Sequence, residues 1–202
     1  MSEKRLSSLA DMEKRVFRVL ISQNATMPDY LNEKDTAVLA RYGDGPHRRF
    51  CRESMADPWM TVDFGFCERT KEPLSDFFWM SFAGFGFLEE LAEFVEPSLS
   101  ASGELLPITL EGNAAYAYNV TNVLDVIDYE RSEFHYFRTG EIMTFKTSVI
   151  SMESLCGSQL FKLPIDQTAI FAFEDPHDEL SLRLICETHG YSGLEFAELE
   201  TS

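Results

Sequence analysis

The last third of the chain constrains the fold most. Thr168 to Phe173 carries Ile170, Phe171 and Phe173 in a short apolar run, which reads as a strand. Asp175-Pro176-His177-Asp178 then predicts a helix start. Asp175 suits the N-cap, where a carboxylate accepts backbone N–H groups, and Pro176 suits the first helical position. Asp178 and Glu179 fall near the positive end of that helix's dipole. Leu180, Leu184 and His189 lie along one side, with Ile185 adjoining, and Gly190 fits the left-handed residue after the helix end. Leu194 to Leu199 alternates as a half-buried final strand. Strand, helix and strand with antiparallel-looking neighbours predict an α+β fold, mostly antiparallel sheet with a few packed helices.

Upstream the signals are shorter. Residues 1–15 read as a loose or partly helical arm, and residues 16–202 as one α+β domain or two closely packed halves. Val16 to Ile21 is a strand candidate. From Ser22 to Lys71 prolines and glycines cut an irregular stretch into short pieces. Asp76 to Met80 reads as a buried strand or strand-turn. A helix is expected over Gly86 to Glu96, because Leu88, Leu91, Ala92 and Val95 make one apolar stripe, with Pro97 stopping it. Glu104 to Glu111 and Ala114 to Asp125 are further strands, the second half of the latter also compatible with a helix. Lys146 to Met152 and Gln159 to Leu163 complete the set.

The chain has 202 residues, enough to bury a core without disulfides or metal, and 17 Phe with 7 Tyr to fill it. Its net charge of −17 disfavours nucleic acid and anionic membrane surfaces as ligands. The same charge attracts a basic protein partner, although acidity also serves plain solubility. No apolar leader or run long enough to span a bilayer is visible, and Cys51, Cys67, Cys156 and Cys186 lie far apart. A cytoplasmic protein with reduced thiols is the expectation.

Chemistry-bearing motifs are scarce. No phosphate-loop, dinucleotide, zinc-protease or serine-hydrolase pattern occurs. Phe82-Ala83-Gly84-Phe85-Gly86-Phe87 is the nearest to a glycine-rich loop, and its phenylalanines read as a packed turn. Cys186 and His189 are three apart on the expected last helix, so a thiol–imidazole pair stands against a buried thiol with a helix-end histidine. His47, Arg48, Arg49 and Arg52 form one basic cluster, which reads as anion clamp or solvated surface. His47 and Cys51 lack a second pair at ligand spacing, and His177, Asp178 and Glu179 point different ways on a helix, so no metal or cofactor is expected. Carboxylates such as Glu89-Glu90 and Asp125/Asp128 are too common here to single out. From Glu174 onward eight acids face the lone base Arg183. Glu174, Asp178, Glu179, Glu187, Glu195 and Glu198 are therefore the candidate partner-binding residues, on an acidic face built from one helix and one strand.

Several stretches, in order, carry a resemblance. They are Pro73 to Trp79, Tyr118 to Asp128, Ser132-Glu133-Phe134, Leu160 to Pro164, and Gly190 to Phe196. Together they resemble the immunity-protein family of bacterial polymorphic toxin systems, first catalogued as a domain of unknown function. The resemblance covers about residues 73–199, and Val16 to Ile21 matches a typical first strand. It implies a protein made beside a toxin gene that binds the toxin and blocks it, with no catalytic residue. It also implies that the matched residues are fold determinants, and that toxins acting on nucleic acid would offer basic grooves to an acidic inhibitor. Gly84 and Gly86 interrupt the helix start the family usually shows, and residues 22–71 match nothing in it. Two other readings stay open: an acidic interaction or regulatory protein, self-associating or not, and, further off, an enzyme using Cys186 and His189 or a buried carboxylate.

Overall fold

Short β-rich runs separated by turns make a sheet-dominated α+β molecule. The computed structural model describes residues 13–23, 25, 28–30, 54–57, 59–66, 74–81, 84–178 and 180–202. In chain order come β1 (Arg15–Ile21), β2 (Pro28–Tyr30), β3 (Val62–Phe66), β4 (Phe77–Ser81) and β5 (Gly84–Leu88). A 3-10 turn (Glu89–Leu91), helix α1 (Ala92–Leu99), β6 (Gly103–Leu110), β7 (Asn113–Val120), β8 (Glu133–Tyr136) and β9 (Ile142–Thr147) come next. The chain continues through β10 (Val149–Ile150), β11 (Gln159–Leu163), β12 (Asp166–Glu174), helix α2 (Leu182–His189), β13 (Leu194–Glu198) and β14 (Glu200–Thr201).

Two sheets carry the fold. One has the order β11-β12-β1-β13, antiparallel throughout. The other has the order β2-β3-β6-β7-β5-β4, antiparallel except where β3 runs parallel to β6. Period-two alternation decides what each face buries. In β7, Ala115 and Ala117 face a core with Val62, Phe64 and Leu106, while Tyr118 and Val120 face the opposite way. That opposite core lies between the sheets, where Phe77, Phe85 and Phe87 meet Phe17, Val19 and Ala172. Beyond the four-stranded sheet a third core holds Val16, Phe161, Phe171 and Phe173 against Val126, Ile127 and Ile150. β12 is thus apolar on both faces because both are covered.

The expected helix over Gly86 to Glu96 needs correction. Gly84 to Leu88 is a strand between β4 and β7. A Cβ on Gly86 would strike the Phe78 ring and the Tyr116 carbonyl, so glycine permits a close approach rather than a turn. The helix begins only at Ala92 and continues through Pro97 to Leu99, with Val95 and Leu99 buried. Pro97, which donates no backbone hydrogen bond, is exposed.

Other boundaries shift as well. Of the expected arm 1–15, residues 1–12 lie outside the described residues, and Arg15 already belongs to β1. β7 stops at Val120, and the chain after it forms a strap rather than a strand or helix. Thr121 and Asn122 donate backbone N–H groups to Ser102, and Leu124 donates to Lys162, closing the edge of β11. The run Lys146 to Met152 divides, with β9 ending at Thr147 and β10 pairing parallel with β14.

Candidate partner-binding face

Arg15 stands opposite Glu174 in the β1–β12 register. Glu174 is 1% exposed. It accepts from Arg183 Nε and Nη2, both at 2.7 Å, from Ser181 Oγ at 2.8 Å and from Arg15 Nη2 at 2.8 Å. Burial works against its ionisation, but the hydrogen bonds from Arg183, Ser181 and Arg15 prevail and hold it below the ordinary carboxylate range. Both guanidinium groups lie over the Phe17 ring, at 5.2 and 5.1 Å. Glu174 therefore docks α2 onto the sheet and faces no partner, which corrects its place in the expected acidic surface.

The helix start is corrected for the same reason. Asp175 accepts the backbone N–H of His177 in a turn, and α2 begins six residues after Pro176, with Ser181 as its N-cap accepting from Leu184. Gly190 is left-handed, as expected, with φ 71°. Asp178 is occupied too: it accepts from Ser158 N–H at 2.6 Å and Leu180 N–H at 2.9 Å, pinning two loops together. It is a loop clamp, away from the helix dipole. Glu179 lies outside the described residues, as do the His47–Arg52 cluster, Cys51 and Cys67.

The other three expected acids come together. Glu187 on α2 and Glu195 and Glu198 on β13 rim a concave groove of about 660 Å³, with Arg15, Arg183 and Tyr191 among its walls. All three glutamates are exposed. Glu187 accepts from Arg183 Nη1 at 2.5 Å, and Glu198 lies 3.9 Å from Arg15. No family model matches the chain, and no curated protein matches it.

The Cys186/His189 pair divides between two environments. Burial pushes the Cys186 thiol up to about 12, reinforced by the charges of Asp76 and Glu187. The exposed His189 ring stacks on Tyr191 at 5.1 Å and lies 4.9 Å from Phe94. This is the buried-thiol alternative. Among the described residues no group of three or more His, Cys, Asp or Glu could hold a metal ion, and no helix is long and apolar enough to cross a membrane.

Sequence reasoning missed two things. The arginine pairing of Glu174 had no local signature, because its partners are 159 and 9 residues away. The β8–β9 hairpin was readable from Phe134 and Tyr136 alternating before the Thr139-Gly140 turn. It leaves Tyr136, Phe137 and Met143 exposed by 59, 52 and 56%.

The stretches that carry the family resemblance meet one another. Ser192 N–H and Oγ both donate to Asp76 Oδ2 at 2.7 Å, and Phe77 N–H donates to the Ser192 carbonyl at 2.9 Å. Lys162 N–H donates to the Asn122 carbonyl, and Asn122 Nδ2 donates to the Leu160 carbonyl, each at 2.9 Å. These residues join strands and sheets.

Proposed function

We propose that the protein is a cytoplasmic immunity protein that binds a basic toxin and neutralises it by occlusion, without a catalytic step or cofactor of its own. The observation that carries this reading is the gathering of Glu187, Glu195 and Glu198 around one groove. Exposed carboxylates at the rim of a concavity attract and orient a basic surface. The net charge of −17 extends that attraction beyond contact distance, and the resemblance over residues 73–199 supplies the partner class. Co-expression with the product of the adjacent gene tests it, scored by survival and co-purification. Rescue with a stable complex that weakens in salt is expected. Absence of both rescue and complex with either neighbouring product overturns the reading.

The β8–β9 hairpin favours a second reading, an interaction protein that self-associates. Exposed aromatic and methionine side chains on one hairpin are what association surfaces use. Gel filtration separates the two: a concentration-dependent dimer abolished by Phe137→Asp supports self-association, and a monomer at all concentrations removes it.

A further inference from the structure

β13 ends the four-stranded sheet, and its hydrogen-bond phase is set by its two ends. Ser22 N–H donates to the Gly193 carbonyl at 3.0 Å, and Leu199 N–H donates to the Val16 carbonyl at 2.9 Å. Antiparallel bonding alternates, so Glu195 and Ala197, opposite Leu20 and Arg18, turn their backbone groups toward β1. Leu194, Phe196 and Glu198, opposite Ile21, Val19 and Phe17, turn theirs outward. Among the described residues no strand pairs with that outer edge. An open row of N–H and C=O groups is a template for another strand.

The side chains say what kind of strand. Leu194, Phe196 and Glu198 share the face that carries the groove, where Glu187 and Tyr191 stand across from them. Glu195, at the margin of the groove, alternates toward the opposite face of the strand. Acid therefore flanks the edge on both faces, and the segment Leu194–Glu198 contains no Lys or Arg. The groove's own Arg15 and Arg183 are already held by Glu174, Glu187 and Glu198. A second copy of β13 would add two more carboxylates and no base, which like-charge repulsion disfavours. A strand of alternating character, with apolar side chains over Phe196 on the groove face and lysine or arginine beside Glu195 on the other, satisfies the backbone, the apolar wall and the charge together.

We infer that β13 is an acceptor edge, and that an extended basic segment of the partner adds to it as a fifth strand of this sheet. The inference rests on the reading that the partner is a basic protein, and it names the mode of capture. The probe is a short peptide of alternating lysine and valine, compared with the same peptide N-methylated at the residues that would face β13. Titrated into ¹⁵N-labelled protein, the unmodified peptide slows amide exchange at Leu194, Phe196 and Glu198. Glu195 and Ala197, already paired to β1, change little. N-methylation weakens binding about tenfold or more, the loss of roughly one or two hydrogen bonds. Glu198→Pro removes one outward donor and spares the β1 ladder, so it weakens binding beyond Glu198→Gln, with unfolding curves confirming that both variants fold. Equal affinity for the two peptides, or perturbations scattered over the acidic surface, overturns strand addition.

The rescue assay separates this inference from the reading beneath it. If the native protein rescues, and Glu198→Pro rescues as well as Glu198→Gln, immunity stands and strand addition falls. If the alternating amide pattern appears but neither neighbouring gene product is neutralised, strand addition stands and immunity falls.

Discussion

Glu174 is a carboxylate out of water with four hydrogen bonds from three side chains. Removing one partner of such a buried pair leaves a charge uncompensated, which costs about 3 kcal/mol or more. Glu174→Gln is expected to destabilise the fold by that amount in urea unfolding at neutral pH. The pH dependence has a definite sign. Because the folded-state pKa lies below the ordinary glutamate value, the stabilisation is complete above that value and is lost as pH falls through the folded pKa. The native protein therefore loses stability on that acid limb, and Glu174→Gln shows a shallower loss there. Cys186 makes a second residue-scale prediction. With its thiol at about 12 and its side chain in the core, it resists maleimide in the folded protein, whereas exposed Cys156 labels quickly, as peptide mapping by mass spectrometry would show. Rapid labelling of Cys186 would mean that α2 opens readily.

At the scale of elements, short apolar strands were legible in the sequence and helix boundaries were not. β1, β6, β11, β12 and β13 track their residue patterns closely, because short apolar or alternating runs are local signals that burial then uses. The start of α2 was misread because Asp175-Pro176 has the chemistry of a cap. Three-dimensional demand redirected it: Arg15 and Arg183 need Glu174 at the end of β12, which leaves the turn after it to reverse the chain before Ser181 can cap. α1 was misread because leucine spacing was traced into Gly84–Leu88, where glycine and phenylalanine alternate as a strand. The junction between the sheets depends on Gly193, which has φ 102° and whose added Cβ would strike the Phe77 carbonyl. Gly193→Ala is expected to cost about 2 kcal/mol or more, from the positive φ and the displaced Asp76–Ser192 clasp. The unfolding midpoint would report it, and a midpoint unchanged from the native protein would show that the clasp relaxes at no cost.

For the whole molecule, the acidic surface anticipated from charge counting is distributed differently in space. Of the six candidate acids, Glu174 and Asp178 hold the fold together, Glu179 lies outside the described residues, and Glu187, Glu195 and Glu198 rim the groove. Composition could supply the sign of the field but not its shape, since burial and ion pairing decide which charges reach water. The three rim carboxylates are exposed, and two sit beside arginines, so each contributes little to stability. On the proposed reading, their effect belongs to encounter with a basic partner. Neutralising them together as Glu187→Gln, Glu195→Gln and Glu198→Gln should leave the unfolding free energy within about 1 kcal/mol of the native value. Association with the proposed basic partner should slow about tenfold at low ionic strength, with a smaller change in dissociation. Raising the salt should then compress the difference between native and neutralised protein, because exposed charges are screened within about 10 Å at 0.1 M. Stopped-flow association at several salt concentrations measures both effects. If the neutralised protein associates as fast as the native one, steering comes from elsewhere on the surface, and the exposed aromatic hairpin becomes the face to mutate next.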